Sequence, residues 1–463
     1  MTLRKARAII LGAVVAFGAV LPLRAETLGD ALVASYRNSN LLEQNRALLR
    51  AADEGVAEAM SALRPVVDFV ARSTYVYNQQ SPSILNPSAR VSEGLSLSVG
   101  LSAQLTLYDG GANKLGIAAA KEQVLATRQG LIGVEHQVLF GAVQAYMRLR
   151  LSEDIVALRQ GNVRVLTREM EAAQDRFDLG EITRTDVAIA EARLAASRAQ
   201  LSAAEGDVLV NRETYELAVG KRPGRLSNPP RPPVTARSVD EAKRIARSQH
   251  YAIKQRQHEL TAAEINLQRA AARMGPRLAA EANVGRNDAG LSTNSVTLTL
   301  SQRLYQGGGL SAVYRATMAR RDAARAALQQ TVAEVEQSVG EAWAQRSVSR
   351  TSIEATDRQI VAARTAYDGV REEAKLGART TLDVLNAEQE LLDAQAERLT
   401  AVTNEYLASY GLLAAMGYLT VDHLKLGIPT YDVTAYYNAV KNAPATSAQG
   451  KRLDRVLQSI GKK

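Results

Sequence analysis

The feature that most constrains this chain is that its sequence occurs twice. Leu107-Tyr108-Asp109-Gly110-Gly111 returns 197 residues later as Leu304-Tyr305-Gln306-Gly307-Gly308. Leu179-Gly180 returns as Leu376-Gly377, Asp186-Val187 as Asp383-Val384 and Gly220 as Gly417, all at that one offset. Tyr146 after Ala145 matches Trp343 after Ala342. Upstream, Pro65 matches Pro276 at an offset of 211, so the 14-residue difference falls between the prolines and the Tyr-x-Gly-Gly motifs. A duplication held over so many landmarks means that one structural unit is built twice and packed against itself.

Each repeat reads as helix, strand, loop, strand, long helix, turn, helix. Residues 95–107 alternate strictly: Leu95, Leu97, Val99, Leu101, Ala103, Leu105 and Leu107 against Ser96, Ser98, Gly100, Ser102, Gln104 and Thr106. That run is long enough for a tilted strand across a bilayer. Val296, Leu298 and Leu300 repeat the pattern between Thr297, Thr299 and Ser301. The spacing predicts strands over 66–77, 95–108, 277–285 and 295–305, with polar loops 78–93 and 286–294. The rival for these strands is the edge of a soluble sandwich.

The helices carry two apolar seams each. From 112 to 178 there is no Pro, and 67 residues of helix reach about 100 Å. Leu149, Val156, Val163, Met170 and Phe177 recur every seven residues, as do Leu151, Leu158, Val165, Ala172 and Leu179. Two positions of offset is about 200° around a helix, so the stripes lie on opposite flanks. The following helix repeats this with Val187, Leu194, Leu201, Val208 and Tyr215 beside Ile189, Ala196, Ala203, Val210 and Leu217. The second repeat has Ile353, Ile360 and Tyr367 beside Val348, Ala355 and Ala362. Opposed seams require a neighbour on each side, as in a closed cylinder of helices; a compact antiparallel bundle is the alternative. Segments 26–64 and 183–220, laid end to end as single helices, match the long helix in length.

Composition removes most other functions. Aromatics are 5% of the 463 residues, so the chain buries Ala, Leu and Val along seams. It has no Cys, which excludes a disulfide scaffold, a thiolate metal site and cysteine catalysis. The four His show no i, i+4 pair, so no metal is expected. No nucleophile elbow, phosphate loop or cofactor motif is present, and no enzyme activity is expected. Residues 1–25 hold Arg4, Lys5, Arg7 and Arg24 and no acid, ahead of an apolar run from Ala8 to Leu21 too short to span a membrane, and read as an export signal cleaved after Ala25. The net charge of +9 then falls to +5, spread among alternating acids and bases, which is no nucleic-acid surface. The domain reading is signal 1–25, first repeat 26–220, a Pro-rich connector 221–237, second repeat 238–417, and an equatorial tail 418–463 with a partly flexible end.

With the Leu-Tyr-x-Gly-Gly motifs in place, the chain resembles the TolC family of bacterial outer-membrane efflux and secretion ducts. The match covers the mature chain to about residue 417. It rests on those motifs and on two paired tips: Arg176-Phe177-Asp178-Leu179-Gly180-Glu181-Ile182-Thr183-Arg184-Thr185-Asp186-Val187, and Leu376-Gly377-Ala378-Arg379-Thr380-Thr381-Leu382-Asp383-Val384-Leu385-Asn386-Ala387. The resemblance implies a membrane β-barrel joined to a long α-helical barrel, closed as a homotrimer with twelve strands and twelve helices. It implies a passive exit in the outer-membrane lipid, with helices in the periplasm. Its partners are a periplasmic adaptor and an inner-membrane pump or ABC exporter, and its cargo drugs or type I secreted proteins. Independently of the family, four strands are too few to close a membrane barrel, so at least two chains must combine. A periplasmic structural or adaptor coiled-coil protein without a pore is the alternative; it has no use for the 95–107 alternation.

The resemblance also assigns sites. Leu179, Gly180, Glu181, Leu376, Gly377 and Ala378 are the implied adaptor contacts, although a Gly at a turn also serves as a plain helix cap. Asp186 and Asp383 hold equivalent places past the two tips, and a trimer makes each a ring of three carboxylates, where mutual repulsion raises pKa values and draws cations. The family places a second Asp ring one turn beyond Asp383; here that position is Asn386. Its tip latch maps to Arg379 with Thr185 and Asp186 as acceptors, and the latch Tyr falls at Ala374.

Overall fold

The computed structural model describes residues 25–80, 90–230, 232–233, 236–442 and 455. The expected export signal, apart from Ala25, and the end of the tail lie outside them. The elements run α1 (Leu28–Asn38), α2 (Asn40–Ser61), β1 (Val66–Gln80), β2 (Arg90–Tyr108), α3 (Ala112–Asp178), α4 (Arg184–Val219), α5 (Val239–Gln249), α6 (Tyr251–Ala272), β3 (Arg277–Asn287), β4 (Ser292–Ser301), α7 (Gly309–Lys375), α8 (Thr381–Ala415) and α9 (Ala435–Val440). Both repeats thus have one element order. No described helix is long and apolar enough to cross a membrane.

Each first helix, expected as one piece, is two. The backbone turns extended at Ser39 (φ −71°, ψ 110°), whose side chain accepts from the Leu42 N–H, and at His250 (φ −65°, ψ 127°), whose ring accepts from the Ala252 N–H. A side chain that caps a new N-terminus stabilises the break by about 1 kcal/mol. Strand ends also differ from those the spacing predicts. β1 and β2 pair out to Gln80 and Arg90, so 78–80 and 90–93 are strand and only 81–89 of that loop lies outside the described residues. β3 runs two residues further, to Asn287, and β4 starts at Ser292. At the other end β4 stops at Ser301 instead of 305, because its partner begins at Arg277 and the preceding Pro276 has no N–H to give.

The four strands form one antiparallel sheet in the order β1-β2-β3-β4. Register puts Phe69 beside Leu101, Leu101 beside Val284, Ala280 beside Leu298 and Leu278 beside Leu300, so one face is mainly apolar, with Ser73 within it and Glu93, Arg286 and Asn294 toward the loop end. Asp68, Ser102, Asn283 and Ser295 align on the other face, as do Arg72 with Ser98 and Glu281 with Thr297. The apolar face is open to solvent in one chain: Leu298 is 66% exposed.

Beyond the sheet the helices pack side by side. In the sheet half the neighbours run α2–α3–α6–α7, and in the far half α4–α3–α8–α7. Of the two stripes on α4, Val187, Leu194, Val208 and Tyr215 are buried, whereas Val210 and Leu217 are exposed. On α7, Ile353, Ile360 and Tyr367 are half-buried while Val348, Ala355 and Ala362 are exposed. The unpartnered stripes are therefore those at the two rims of the array.

The main core lies at mid-length, where α1, the connector and the tail wrap α3. Tyr146 and Tyr215 are fully buried there. The Tyr146 hydroxyl lies 3.0 Å from the Glu26 carbonyl and 2.7 Å from that of Ser227, and Tyr215 donates to the Glu26 carboxylate at 2.6 Å. Burial works against that carboxylate, but hydrogen bonds from Lys221, Tyr215 and the Gly224 N–H outweigh it and lower its pKa. The tail continues as a strap: Val421 N–H donates to Glu135 at 2.7 Å, Tyr436 to Glu54 at 2.7 Å, and Arg128 sits 5.2 Å over the Tyr437 ring.

Two imidazoles belong to this belt. Burial, helped by the charge of His250, pushes His136 down to about 4, and burial alone pushes His250 down to about 4. The unfolded chain protonates them near 6.5, so the folded state loses stability as pH falls from there toward 4. We expect His136→Phe to remove on the order of 2 kcal/mol of this acid loss. Its Tm should therefore fall less steeply than that of the unsubstituted protein between neutral and mildly acidic pH. Superimposable profiles would show that His136 takes no proton in unfolding.

Candidate functional site

The far ends of the two long helices are built alike. At the first tip, Gly180 has φ +78°, its N–H donates to the Phe177 carbonyl at 2.8 Å, and the Glu181 N–H to that of Arg176 at 2.9 Å. At the second, Gly377 has φ +77°, its N–H donates to Ala374 at 3.1 Å and the Ala378 N–H to Glu373 at 2.9 Å. This is the paired-bond stop of a helix that needs a left-handed residue, which Gly provides without strain. A Cβ on either Gly would meet nothing within 4 Å. The cap role of the two glycines is thus visible in full. Leu179 and Leu376, beside them, are 76% and 86% exposed, two large apolar side chains with nothing on them.

The return helices start on reciprocal caps. Thr183 accepts from the Asp186 N–H, and the Asp186 carboxylate accepts from the Thr183 N–H (3.0 Å) and hydroxyl (2.7 Å). Thr380 and Asp383 do the same at 3.0 and 2.8 Å. The Thr-x-x-Asp spacing in both tips is the sequence signature of this box. These bonds hold the Asp186 and Asp383 carboxyls below the usual range, with Thr183 and Thr380 as the leading causes. Within one chain the expected upward shift is therefore reversed: each carboxylate is committed to its own helix start.

Arg379 is bound to Glu373 of its own hairpin, Nε to Oε2 at 2.8 Å, and to neither Thr185 nor Asp186. Glu373 lies six residues back across the tight turn, so the contact is local. Thr185 is exposed in the first turn of α4. Ala374 is buried and brings no hydroxyl.

The hairpins meet above the tips. Asn386 Oδ1 accepts from Arg193 Nη2 at 3.0 Å, tying α8 to α4. Leu385 is buried with Leu166 of α3 and Leu194 of α4, and Val163, Met170 and Ile189 pack around them. Arg371 of α7 reaches Glu169 of α3 at 3.7 Å. A cavity of about 310 Å³ lies below, lined by Arg168, Arg176, Ala374, Lys375 and Val384 among others. Glu388, next to it on α8, is 7% exposed, and its Oε2 has no partner. Burial first, then the like charge of Glu169, pushes its pKa up to about 7, with Arg371 pulling the other way. Sequence reasoning passed over Arg193, Glu169, Arg371 and Glu388. One signal was available: Glu388 stands three residues after Leu385 and four before Leu392, on the apolar seam itself.

No group of three or more His, Asp or Glu among the described residues is placed to hold a metal. The chemistry on offer is that of a polar sheet face, long helix seams and two hairpins joined by a few polar links above their tips.

Comparison with known proteins agrees with this architecture. The sequence family described as outer membrane efflux protein matches residues 32–221 and 244–418. The outer membrane efflux protein BepC of Brucella suis is 34% identical over 444 residues, 94% of this chain and 95% of that one. The alkaline protease secretion protein AprF of Pseudomonas aeruginosa is 26% identical over 306 residues, 63% of each chain. Among solved structures, the CmeC outer membrane channel of Campylobacter jejuni superposes with a TM-score of 0.73 at 15% identity, covering 92% of this chain and 91% of that one, and so shares the fold. The two matched spans cover all but the first residues of the two repeats, and the chain belongs to the outer membrane efflux protein family, the TolC-type ducts of the outer membrane.

Proposed function

We propose that the chain is one third of a passive exit duct, exported with removal of residues 1–25. Three copies close their sheets into a twelve-stranded barrel in outer-membrane lipid, and their helices into a tunnel in the periplasm. The observation that carries this is the open sheet with one mainly apolar face and two free edges, β1 and β4. Free strand edges are not tolerated in hydrocarbon. The exposed second stripes on α4 and α7 support the same closure, since one copy's α7 seam meets the next copy's α4 seam. Family members are channel proteins and not enzymes, and we assign this chain no reaction of its own. A structural coiled-coil protein without a pore is the competing reading. In planar bilayers the purified protein should conduct, and in gels it should run as a detergent-stable trimer that heat dissociates. An inert monomer would overturn the duct.

In this reading a periplasmic adaptor docks its helical hairpins on the tips, at Leu179-Gly180-Glu181 and Leu376-Gly377-Ala378, and couples the duct to an inner-membrane pump or ABC exporter. One relative is named for efflux and another for secretion of an alkaline protease. Both cargo classes, small solutes and type I secreted proteins, therefore stand open to assay. Asp186 and Asp383 form rings in the trimer. Their capping bonds keep them ionised, and the neutral Asn386 weakens cation block beyond them. Arg379 and Thr185 remain the inter-hairpin latch only if Arg379 exchanges Glu373 for Asp186 when copies assemble.

Orientation follows from each long helix running from strand to turn. A Cys placed at Leu291, in the β3–β4 turn, should react with an impermeant maleimide on intact cells, and one at Glu181 should not. Reaction at 181 alone would invert the topology. Because Leu179 and Leu376 bury nothing within the chain, Leu179→Asp with Leu376→Asp should leave trimer level and Tm unchanged while export falls at least about tenfold, as loss of an apolar anchor predicts. Undiminished export would remove the tips from the docking surface.

A further inference from the structure

The joint between the hairpins contains a carboxyl group that its surroundings do not satisfy. Glu388 faces Glu169 on α3 and Arg371 on α7, with Tyr367 of α7 near enough that its hydroxyl feels the same charges. Arg371 is already shared with Glu169 at 3.7 Å, so when both acids are ionised one cation faces two anions. The other cations nearby are committed or turned to the cavity. Arg176 is held by Glu181 at 3.2 Å, Lys375 by Glu372 at 2.6 Å and Arg193 of α4 by Asn386 at 3.0 Å, while Arg168 lines the cavity. Glu388 Oε2 accepts no hydrogen bond from any described residue.

We propose that Glu388 is a proton-operated catch between the two hairpins: as the neutral acid it leaves α8 packed against α3 and α4, and on ionising it drives the α7–α8 hairpin away from the α3–α4 hairpin. A neutral carboxyl can be buried in an apolar joint at modest cost, whereas a carboxylate there lacks both water and a counter-ion of its own. Separation restores water to Glu388 and leaves Glu169 and Arg371 a simple pair. The sign follows from linkage. In the packed joint the group binds its proton up to about 7, and in the separated one it returns toward the ordinary carboxyl value of 4.5. The packed joint is therefore fully favoured below about 4.5 and loses that advantage as pH rises to about 7. The hydrophobic cluster at the joint is small: Leu166, Leu194 and Leu385, with Val163, Met170 and Ile189 half-buried around them.

The catch regulates the gate of the duct proposed above and rests on that reading only for its consequence; the movement can be measured without it. Full-length protein in lipid nanodiscs, spin-labelled at Glu181→Cys and Ala378→Cys and diluted with unlabelled chain, reports the distance between the tips. The ratio of packed to separated forms should fall at least about tenfold between about pH 5 and about pH 8. Glu388→Gln, which keeps the shape and loses the charge, should hold the packed distance at both. Glu169→Gln frees Arg371 for Glu388 and should move the transition to lower pH. A distance independent of pH, or a pH step that survives Glu388→Gln, overturns the catch. Conductance of the same samples separates the two ideas. A distance step without a conductance step upholds the catch and overturns its role in opening a duct.

Discussion

Hydrogen-bond closure of the sheet is the constraint on which the rest of this molecule depends. β1 and β4 each offer one bonded edge and one bare edge, and each bare N–H or C=O in hydrocarbon costs several kcal/mol. Only a ring of sheets removes that cost. The helices inherit the ring because each strand runs into one: β2 into α3 across Asp109-Gly110-Gly111, and β4 into α7 across Gln306-Gly307-Gly308. A helix that continues a ring has a neighbour on both flanks. That is why α4 and α7 each present a second apolar stripe that a lone chain leaves in solvent. The duplication supplies this economically, since one unit used twice meets itself both within the chain and between chains.

Long two-seam helices resist twisting poorly, and the chain stiffens them at one level. Glu26, Tyr146, Tyr215, Lys221 and the backbone of 224–227 form a polar knot between the first described residues, both helices of the first hairpin and the connector. Around it lie Leu28, Leu32, Leu139, Val143, Leu149, Leu413 and Leu419, all buried. Most of the large buried side chains are spent here, so the far half of the tunnel is held mainly by Ala and Leu contacts and a few polar links.

The repeat, the strand faces and the tip turns were legible because each is a periodic or local signal. The alternation of 95–107 and the heptads of 149–177 are read directly from spacing. What spacing did not give depended on partners. The breaks at Ser39 and His250 come from side chains that cap a new helix, and the end of β4 at Ser301 comes from where β3 begins. At the site, the repeated Leu-Gly pairs mark the two turns, where Gly180 and Gly377 take positive φ. Thr183 and Thr380, three residues before Asp186 and Asp383, mark both acids as helix caps as well as candidates for a luminal ring. Their low pKa values follow from those caps. Arg193, Glu169 and Arg371 were missed because each makes its contact across helices far apart in sequence.

Polar residues placed on an otherwise apolar seam act differently according to what surrounds them. Asn162 donates to Ser197 at 3.1 Å between α3 and α4; the pair is satisfied and fixes the register of one hairpin. Asp53 stands between Leu49 and Val56 on α2, 1% exposed, 4.0 Å from Arg128, with its pKa pushed up to about 6, chiefly by burial. It is as poorly satisfied as Glu388, but it sits inside the mid-length core, under a tail strapped on by Tyr436 and Tyr437. Its discomfort has nowhere to go. Glu388 carries the same kind of charge where three leucines and two long-range polar links oppose it. The two acids differ less in their own surroundings than in the apolar burial around them, which is dense along the middle of α3 and sparse toward its tip, and in the catch proposed above that difference is what lets the stress at Glu388 be relieved by movement.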